Sequence, residues 1–74
     1  MTIHRITRKH KSGLSWDEGG VPTLEFAQRL CRGNAEESMV WRQLDPPLPG
    51  RGPIWTTELP GAYEWFEIEA TEPG

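Results

Sequence analysis

Histidine and cysteine are the residues in this sequence that could bind a transition metal. His4 and His10 lie near the N-terminus, and Cys31 is the single cysteine. If both histidines belong to one strand, a rise of about 3.3 Å per residue separates them by about 20 Å. One ion cannot then contact both, and a zinc site would need Cys31 and a carboxylate brought in by the fold. We therefore expect two solvated histidines, no metal site and no cofactor.

Nucleophilic and acid–base chemistry has no supporting pattern either. Cys31 lies on the apolar side of a predicted helix, where a thiol packs as a small hydrophobic group. Ser15 and Ser38 stand in no catalytic motif, and no phosphate-binding glycine loop is present. Glu67 and Glu69 would project side by side from one strand, whereas glycoside hydrolysis needs two carboxylates across a cleft. A chain of 74 residues has little room for a ligand pocket of about 300 Å³ beside its core, so we expect no enzymatic activity.

The clearest regular pattern occupies residues 62–70, which alternate between two sets of side chains. Phe66, Ile68 and Ala70 form the apolar set. The other parity holds two aromatic rings and two carboxylates: Tyr63, Trp65, Glu67 and Glu69. Because successive side chains of a strand point to opposite sides of a sheet, the pattern predicts one side facing the core and one facing outward.

The outward side is the predicted binding site for a partner protein. Tyrosine and tryptophan are enriched at interface hot spots, and carboxylates around them favour a basic partner surface. The predicted site is the outer face of a C-terminal hairpin together with a proline-rich loop: Trp55, Tyr63, Trp65, Glu67, Glu69 and Arg51. The alternative is that most of the rings fill the core, which must take at least two of the four tryptophans.

Charge is distributed unevenly along the chain. Residues 1–16 contain four Arg and Lys and no acid, whereas residues 57–74 contain five Glu and no base. If the two ends pair as neighbouring strands, these charges offset each other; otherwise the molecule has a basic and an acidic pole. The basic set gives an alternative hypothesis, a small nucleic-acid-binding regulatory protein that contacts phosphates through Arg5, Arg8, Lys9 and Lys11. On an edge strand the same charges would instead prevent aggregation.

Composition limits the class of protein. The length fits one domain, and a chain of this size buries only about 60% of its unfolded surface. The net charge of −3 argues against nucleic acid as the main partner. A lone Cys31 suits a reducing setting, and the sequence has neither an apolar run of about 20 residues nor a secretory signal. We expect a mature, soluble, cytoplasmic protein.

The N-terminal third predicts two strands. Residues 2–9 mix Ile3 and Ile6 with Thr, Arg and His, which is typical of an edge strand. Residues 14–16 fit a second, short strand. The Asp-Glu-Gly-Gly sequence at 17–20 predicts a loop.

The best helix signal covers residues 24–32. Thr23 or Pro22 would open the helix and Gly33 would cap its end. Glu25 near the start and Arg29 near the end suit the helix dipole. The predicted apolar face consists of Leu24, Ala27, Leu30 and Cys31, with Phe26 at its margin.

The second half of the chain predicts strands around a loop. Residues 34–44 fit either a helix or, over 38–44, a strand, and the β propensity of Val and Trp slightly favours the strand. Four prolines and two glycines make 45–53 a surface loop. The remaining segments are a strand over 54–59, a tight turn at 60–61, a hairpin strand over 62–70 and a flexible tail over 71–74. Together they predict one α+β domain, an antiparallel sheet of about four strands with one helix packed on one face.

In size and net charge the chain resembles the small inhibitors that bacteriophages direct against bacterial defence complexes, including anti-CRISPR proteins. The resemblance carries no functional residue across, and the basic start of the chain departs from a uniformly acidic mimic of nucleic acid. It implies a non-enzymatic inhibitor or adaptor that occludes a basic surface of a larger nucleic-acid-processing complex, which is our leading hypothesis. A homodimer formed by pairing of sheet edges is a third, weaker one.

Overall fold

A computed structural model of the chain describes residues 2–32, 40–45 and 48–72. These residues form one antiparallel sheet, in the order β2-β1-β5-β4-β3, and one helix. The elements are β1 (Ile3–His10), β2 (Ser15–Val21), α1 (Leu24–Arg32), β3 (Arg42–Gln43), β4 (Ile54–Thr56) and β5 (Glu64–Thr71). The predicted α+β class is confirmed, with five strands where the sequence suggests about four. In the described ranges no helix is long and apolar enough to cross a membrane.

The two ends of the described chain meet at the centre of the sheet. Strand β1 pairs with β5 along its whole length, from Ile3 opposite Thr71 to His10 opposite Glu64. The basic segment therefore lies against the acidic one, and of the two arrangements that the charge pattern allows, the structure has the one in which the charges offset each other. Since β1 has a neighbour on both sides, it is an interior strand and not the predicted edge strand. Thr71, the first residue of the predicted tail, is part of β5, and residues 73–74 of that tail lie outside the described residues.

The core lies between this strand pair and the helix. Ile6 of β1 and Ile68 of β5 are buried against Ala27 and Cys31 of α1. Five partly buried side chains pack around this cluster: Val21, Leu24, Trp41, Trp55 and Phe66. Such a core is thin, as the length of the chain requires.

Helix α1 has the predicted bounds, and Thr23 opens it. The Thr23 hydroxyl accepts a hydrogen bond from the backbone N–H of Phe26 at 3.1 Å, the usual contact of an N-cap residue. The predicted apolar face is only partly correct, because Leu30 is 53% exposed. The buried stripe is centred on Ala27 and Cys31, and a turn of about 100° per residue carries Leu30 to its edge. The predicted cap at Gly33 lies outside the described residues.

The predicted loop at 17–20 is wrong, because β2 continues through it to Val21. The register shows the reason: Ile6 pairs with Gly19 and Thr7 with Asp17, so Glu18 is an extra residue in a β-bulge. Gly19 has a φ of 103°, and its N–H donates to the Asp17 carboxylate at 2.8 Å. The composition that suggests a turn therefore forms a bulge inside a strand.

The C-terminal hairpin of β4 and β5 is confirmed. Its connection contains the predicted turn, in which the N–H of Ala62 donates to the carbonyl of Leu59 and Gly61 has a φ of 82°. Strand β4 ends at Thr56, although Thr57 still exchanges hydrogen bonds with Phe66 through its N–H and its hydroxyl.

The middle of the chain is described only in part. The predicted strand over 38–44 is reduced to the two residues of β3 where the structure describes it, and residues 33–39 lie outside the described ranges. Within the predicted 45–53 loop, Leu48 and Arg51 close a turn around Gly50, whose φ is 75°; residues 46–47 also lie outside.

Candidate protein-binding surface

The sheet has two different faces, which we call the helix face and the open face. Helix α1 packs on the side of Ile6 and Ile68, the helix face. The open face carries the opposite parity of each strand, and residues paired across neighbouring strands share a face. On β1 and β5 the open face carries Ile3, Arg5, Thr7, Lys9, Trp65, Glu67, Glu69 and Thr71. Three of the predicted partner-binding residues are thus placed side by side. On β4 it carries Ile54 and Thr56, which are only 3% exposed, so this face is exposed in part and covered at β4.

Glu69 is the most strongly anchored carboxylate of the open face. Arg51 reaches it from the proline-rich loop and donates twice, from Nε to Oε2 at 2.9 Å and from Nη2 to Oε1. This bidentate contact holds the pKa of Glu69 below its ordinary value, with a further lowering by the nearby charges of Arg5 and Lys9. The pair also ties the loop to the sheet, so Arg51 belongs to the same surface as Glu69.

Glu67 is partnered inside the molecule as well. Lys9 Nζ lies 3.2 Å from its Oε2 atom, and the indole N–H of Trp65 donates to the same oxygen at 3.2 Å. Because Lys9 pairs with Trp65 across the two strands, the three side chains form one compact group. The Glu67 carboxylate therefore contacts both the Lys9 ammonium group and the Trp65 indole N–H.

The ion pairs Arg51–Glu69, Lys9–Glu67 and Arg5–Asp17 together form what we call the ion-pair array. Arg5 extends this array to the edge of the sheet. Its guanidinium lies 2.6 Å from the Asp17 carboxylate of β2. The pKa of Asp17 is lowered, first by the hydrogen bond from the Gly19 N–H and then by Arg5. Charges of alternating sign therefore cross the open face from β2 to the loop around Arg51.

Tyr63 lies away from this array, at the end of the sheet. It is 65% exposed, and its ring is covered on one side by Lys11, whose Nζ atom lies 3.9 Å from the ring centroid. The backbone N–H of Lys11 also donates to the Tyr63 carbonyl at 2.8 Å. Leu14, in the adjacent turn, is 61% exposed.

Trp55 lies on the face opposite to the one expected. It pairs with Ile68, which places it on the helix face, where it packs against the core. Its ring centroid lies 6.0 Å from that of His4. Trp41 packs against the same core, so two of the four tryptophans are used there, and the open face has only Trp65 of the two predicted on it.

The four basic residues of the alternative hypothesis are not gathered on one surface. Arg5 and Lys9 lie on the open face, in the ion pairs already described. Arg8 points to the helix face, where its guanidinium stacks on Trp16 at 4.7 Å and its Nε atom lies 3.4 Å from a Glu18 oxygen. The fourth member, Lys11, covers the ring of Tyr63.

Sequence patterns did not point to the exposed apolar side of α1. Phe26 and Leu30 are 50% and 53% exposed. Beside Leu30 a groove of about 380 Å³ opens between helix and sheet, lined by Ile6, Arg8, Glu18, Leu30, Cys31 and Phe66. Burial raises the pKa of the Cys31 thiol to about 11, with a smaller contribution from Glu18. The sequence does contain a signal for this exposed side. Phe26 and Leu30 are four residues apart, about one helical turn, and neither belongs to the buried stripe of Ala27 and Cys31.

No metal centre emerges from the described ranges, where no three His, Cys, Asp or Glu side chains are grouped to hold an ion. The geometry therefore defines a class only: a small α+β domain with one sheet face carrying an ion-pair array. Comparison with known proteins adds no family, since no family model, curated protein or solved structure matches the chain.

Proposed function

We propose that this chain is a small non-enzymatic protein-binding module that uses the open face of its sheet to contact a partner protein. The observation that carries the proposal is that α1 packs on the other side of the sheet, so that Trp65, Glu67 and Glu69 stand together on the side away from the helix, each of them partly exposed. A ring flanked by carboxylates is typical of binding hot spots for basic surfaces. Arg51 borders the same surface through its pair with Glu69, whereas Tyr63 lies at the end of the sheet beside Lys11.

The partner that fits is a larger protein with a basic surface, such as a nucleic-acid-processing complex. Occlusion of that surface would make the chain an inhibitor or adaptor, the class suggested by its size and net charge. A reducing, cytoplasmic setting suits its single unpaired thiol. This partner class is an inference from surface chemistry.

The ion-pair array adds a condition to this mechanism. Glu67 and Glu69 already contact Lys9 and Arg51, so a basic partner would exchange these intramolecular pairs for intermolecular ones. Such an exchange yields little net affinity and acts mainly on association rate and specificity. Removal of the carboxylates and removal of their basic partners should therefore have opposite effects on the association rate.

The first experiment is a pull-down with the tagged chain from a bacterial lysate, eluted in steps of increasing salt, with a nuclease-treated control. Recovery of one stoichiometric basic complex after nuclease would support the proposal and supply the partner. Loss of every partner after nuclease would contradict it and favour nucleic acid. Gel retardation at low salt would then test whether the chain binds nucleic acid through its four N-terminal basic residues, Arg5, Arg8, Lys9 and Lys11.

The second experiment measures association with the recovered partner. Glu67→Gln with Glu69→Gln should slow association and reduce its salt dependence, whereas Lys9→Gln with Arg51→Gln should speed it by freeing the carboxylates. Glu64→Gln is the control for Glu67→Gln and Glu69→Gln measured one at a time, because each of the three removes one charge from β5 and only Glu64 lies on the opposite parity. Equal rates for all variants would remove the electrostatic part of the proposal.

A further inference from the structure

The outward side of α1 carries two parallel rows of side chains. Phe26 and Leu30, both about half exposed, form an apolar row, because residues four apart in a helix lie one above the other. Glu25 and Arg29 form a charged row beside it, joined by an ion pair of 3.2 Å. Ala27 and Cys31 form the side of α1 that is buried against the sheet. The charged row faces away from the sheet, and the apolar row lies at the flank of the helix, where Leu30 borders the groove between helix and sheet.

We propose that this face of α1 binds a second copy of the same chain, with the two helices antiparallel. A twofold axis that lies across the interface, perpendicular to both helices, places the apolar row of one copy against the apolar row of the other. The charged rows also meet, with their order reversed. Glu25 therefore lies opposite the second copy's Arg29, and Arg29 opposite the second copy's Glu25.

Only the antiparallel arrangement has this complementarity. A parallel pair, related by a twofold axis along the helices, would place each apolar row on the charged row of the other copy. Antiparallel packing that centres near Gln28 also sets Phe26 beside the second copy's Leu30. Leu30 then has a depression to enter on the other copy, and Phe26 packs against the exposed side of Leu30.

This face of α1 offers one such depression. It has a volume of about 200 Å³ and is lined by Thr23, Glu25, Phe26 and Arg29, where the second copy's Leu30 would arrive. The 380 Å³ groove opens between helix and sheet and is not part of this face. An apolar side chain exposed next to a depression that it fits is a usual element of a binding surface.

The predicted dimer is weak. Two half-exposed apolar side chains per copy supply far less than the roughly 1,200 Å² buried by a stable interface. The open face is not part of this interface, so the dimer would present two copies of it and bind a multivalent partner with avidity. The dimer does not depend on the proposed function of the open face, and each can fail alone.

Sedimentation velocity over a wide range of concentrations is the first test. The wild type should shift from monomer to dimer as concentration rises, and Phe26→Ser with Leu30→Ser should abolish the shift. Leu14→Ser with Tyr63→Ser is the matched control, since those side chains are at least as exposed but lie at the end of the sheet. A monomeric wild type, or a dimer that survives Phe26→Ser with Leu30→Ser, would overturn the proposal.

A charge exchange between copies is the sharper test. Glu25→Arg and Arg29→Glu should each weaken self-association, because each brings like charges together across the twofold axis. Mixed in equal amounts, the two variants should form a heterodimer, since one copy then presents two Arg and the other two Glu. Native mass spectrometry distinguishes the two chains by mass. Absence of the heterodimer would mean that the pair acts only within its own helix, and would reject the antiparallel geometry.

Discussion

At the residue scale, the Arg51–Glu69 pair joins the proline-rich loop to the central strand β5. Its pKa effect has a definite sign: the folded pKa of Glu69 lies below the ordinary value of 4.5. The pair therefore stabilises the folded state above that value, and this contribution is lost as the pH falls through the folded pKa. Both side chains are partly exposed, so the contribution is at most about 1 kcal/mol.

We predict that Arg51→Gln lowers the free energy of unfolding by up to about 1 kcal/mol at pH 7 and by much less at pH 3. Urea denaturation followed by tryptophan fluorescence at both pH values measures the difference. Arg29→Gln removes a pair from the exposed side of α1 and should have a smaller effect. An equal loss at both pH values would show that Arg51 stabilises the loop by packing and not by charge.

Cys31 gives a second prediction at this scale. A rise of its pKa from 9.0 to about 11 lowers the thiolate fraction at pH 7–8 about 100-fold, and the thiolate is the reactive form. Reaction with a disulfide reagent should therefore be slow in buffer and fast in urea. Because the folded thiol holds its proton where the unfolded one releases it, stability should also fall as the pH rises from 9 to 11. A native thiol as reactive as the unfolded one would contradict the burial.

At the scale of the elements, the bulge in β2 depends on one glycine. Gly19 has a φ of 103°, a conformation that costs an L residue about 1–2 kcal/mol. Apart from Gly19 and its two chain neighbours, no residue comes within 4 Å of the position that a Cβ would occupy, so the penalty arises from the backbone conformation and not from packing. Gly19→Ala should reduce the free energy of unfolding by that amount and Gly19→Asn by less, because Asn tolerates positive φ better. Thermal denaturation of the wild type, Gly19→Ala and Gly19→Asn measures these differences. A Gly19→Ala variant as stable as the wild type would contradict the bulge geometry.

The elements also show which structural features a sequence can predict. Helix α1 was predicted to the residue because its signals are local: Thr23 at the start, and a buried stripe of Ala27 and Cys31. The same holds for the turn at Pro60-Gly61. The bulge at Glu18 was not predictable, because the extra residue exists only relative to β1, a neighbour in space.

Trp55 illustrates the same limit for the candidate surface. Alternation within 62–70 correctly grouped Trp65, Glu67 and Glu69, because period two is a property of one strand. The face of Trp55 depends on the register between β4 and β5, and a shift of one residue reverses every side chain. The ion pairs of Glu67 and Glu69 likewise depend on β1 and on a loop far away in sequence, which no local pattern specifies.

At the scale of the whole molecule, the basic segment and the acidic segment are central neighbours in the sheet. Strand β1 lies between β2 and β5, and β5 lies between β1 and β4. The longest strand pairing therefore joins residues about 60 positions apart, Ile3 with Thr71 and His10 with Glu64 among them. Because long-range pairing requires closure of a large loop before any contact forms, it slows folding.

This topology predicts the behaviour of a circular permutant. Joining the present ends by a short Gly-Ser linker and opening the chain at Pro60-Gly61 would convert the β5–β1 pair into a hairpin. The permutant should keep the fold, since Ile3 and Thr71 are already paired. It should fold faster than the wild type, because the eight residue pairs of β1 and β5 become local while only the three pairs of β4 and β5 become long-range. Stopped-flow tryptophan fluorescence measures the folding rate, and circular dichroism checks the fold.

The wild-type chain with the same linker added at its C-terminus but left unjoined is the control. A folded permutant that refolds no faster than this control would contradict the prediction, because the loss of the local β4–β5 hairpin would then slow folding as much as the local β1–β5 pairing speeds it.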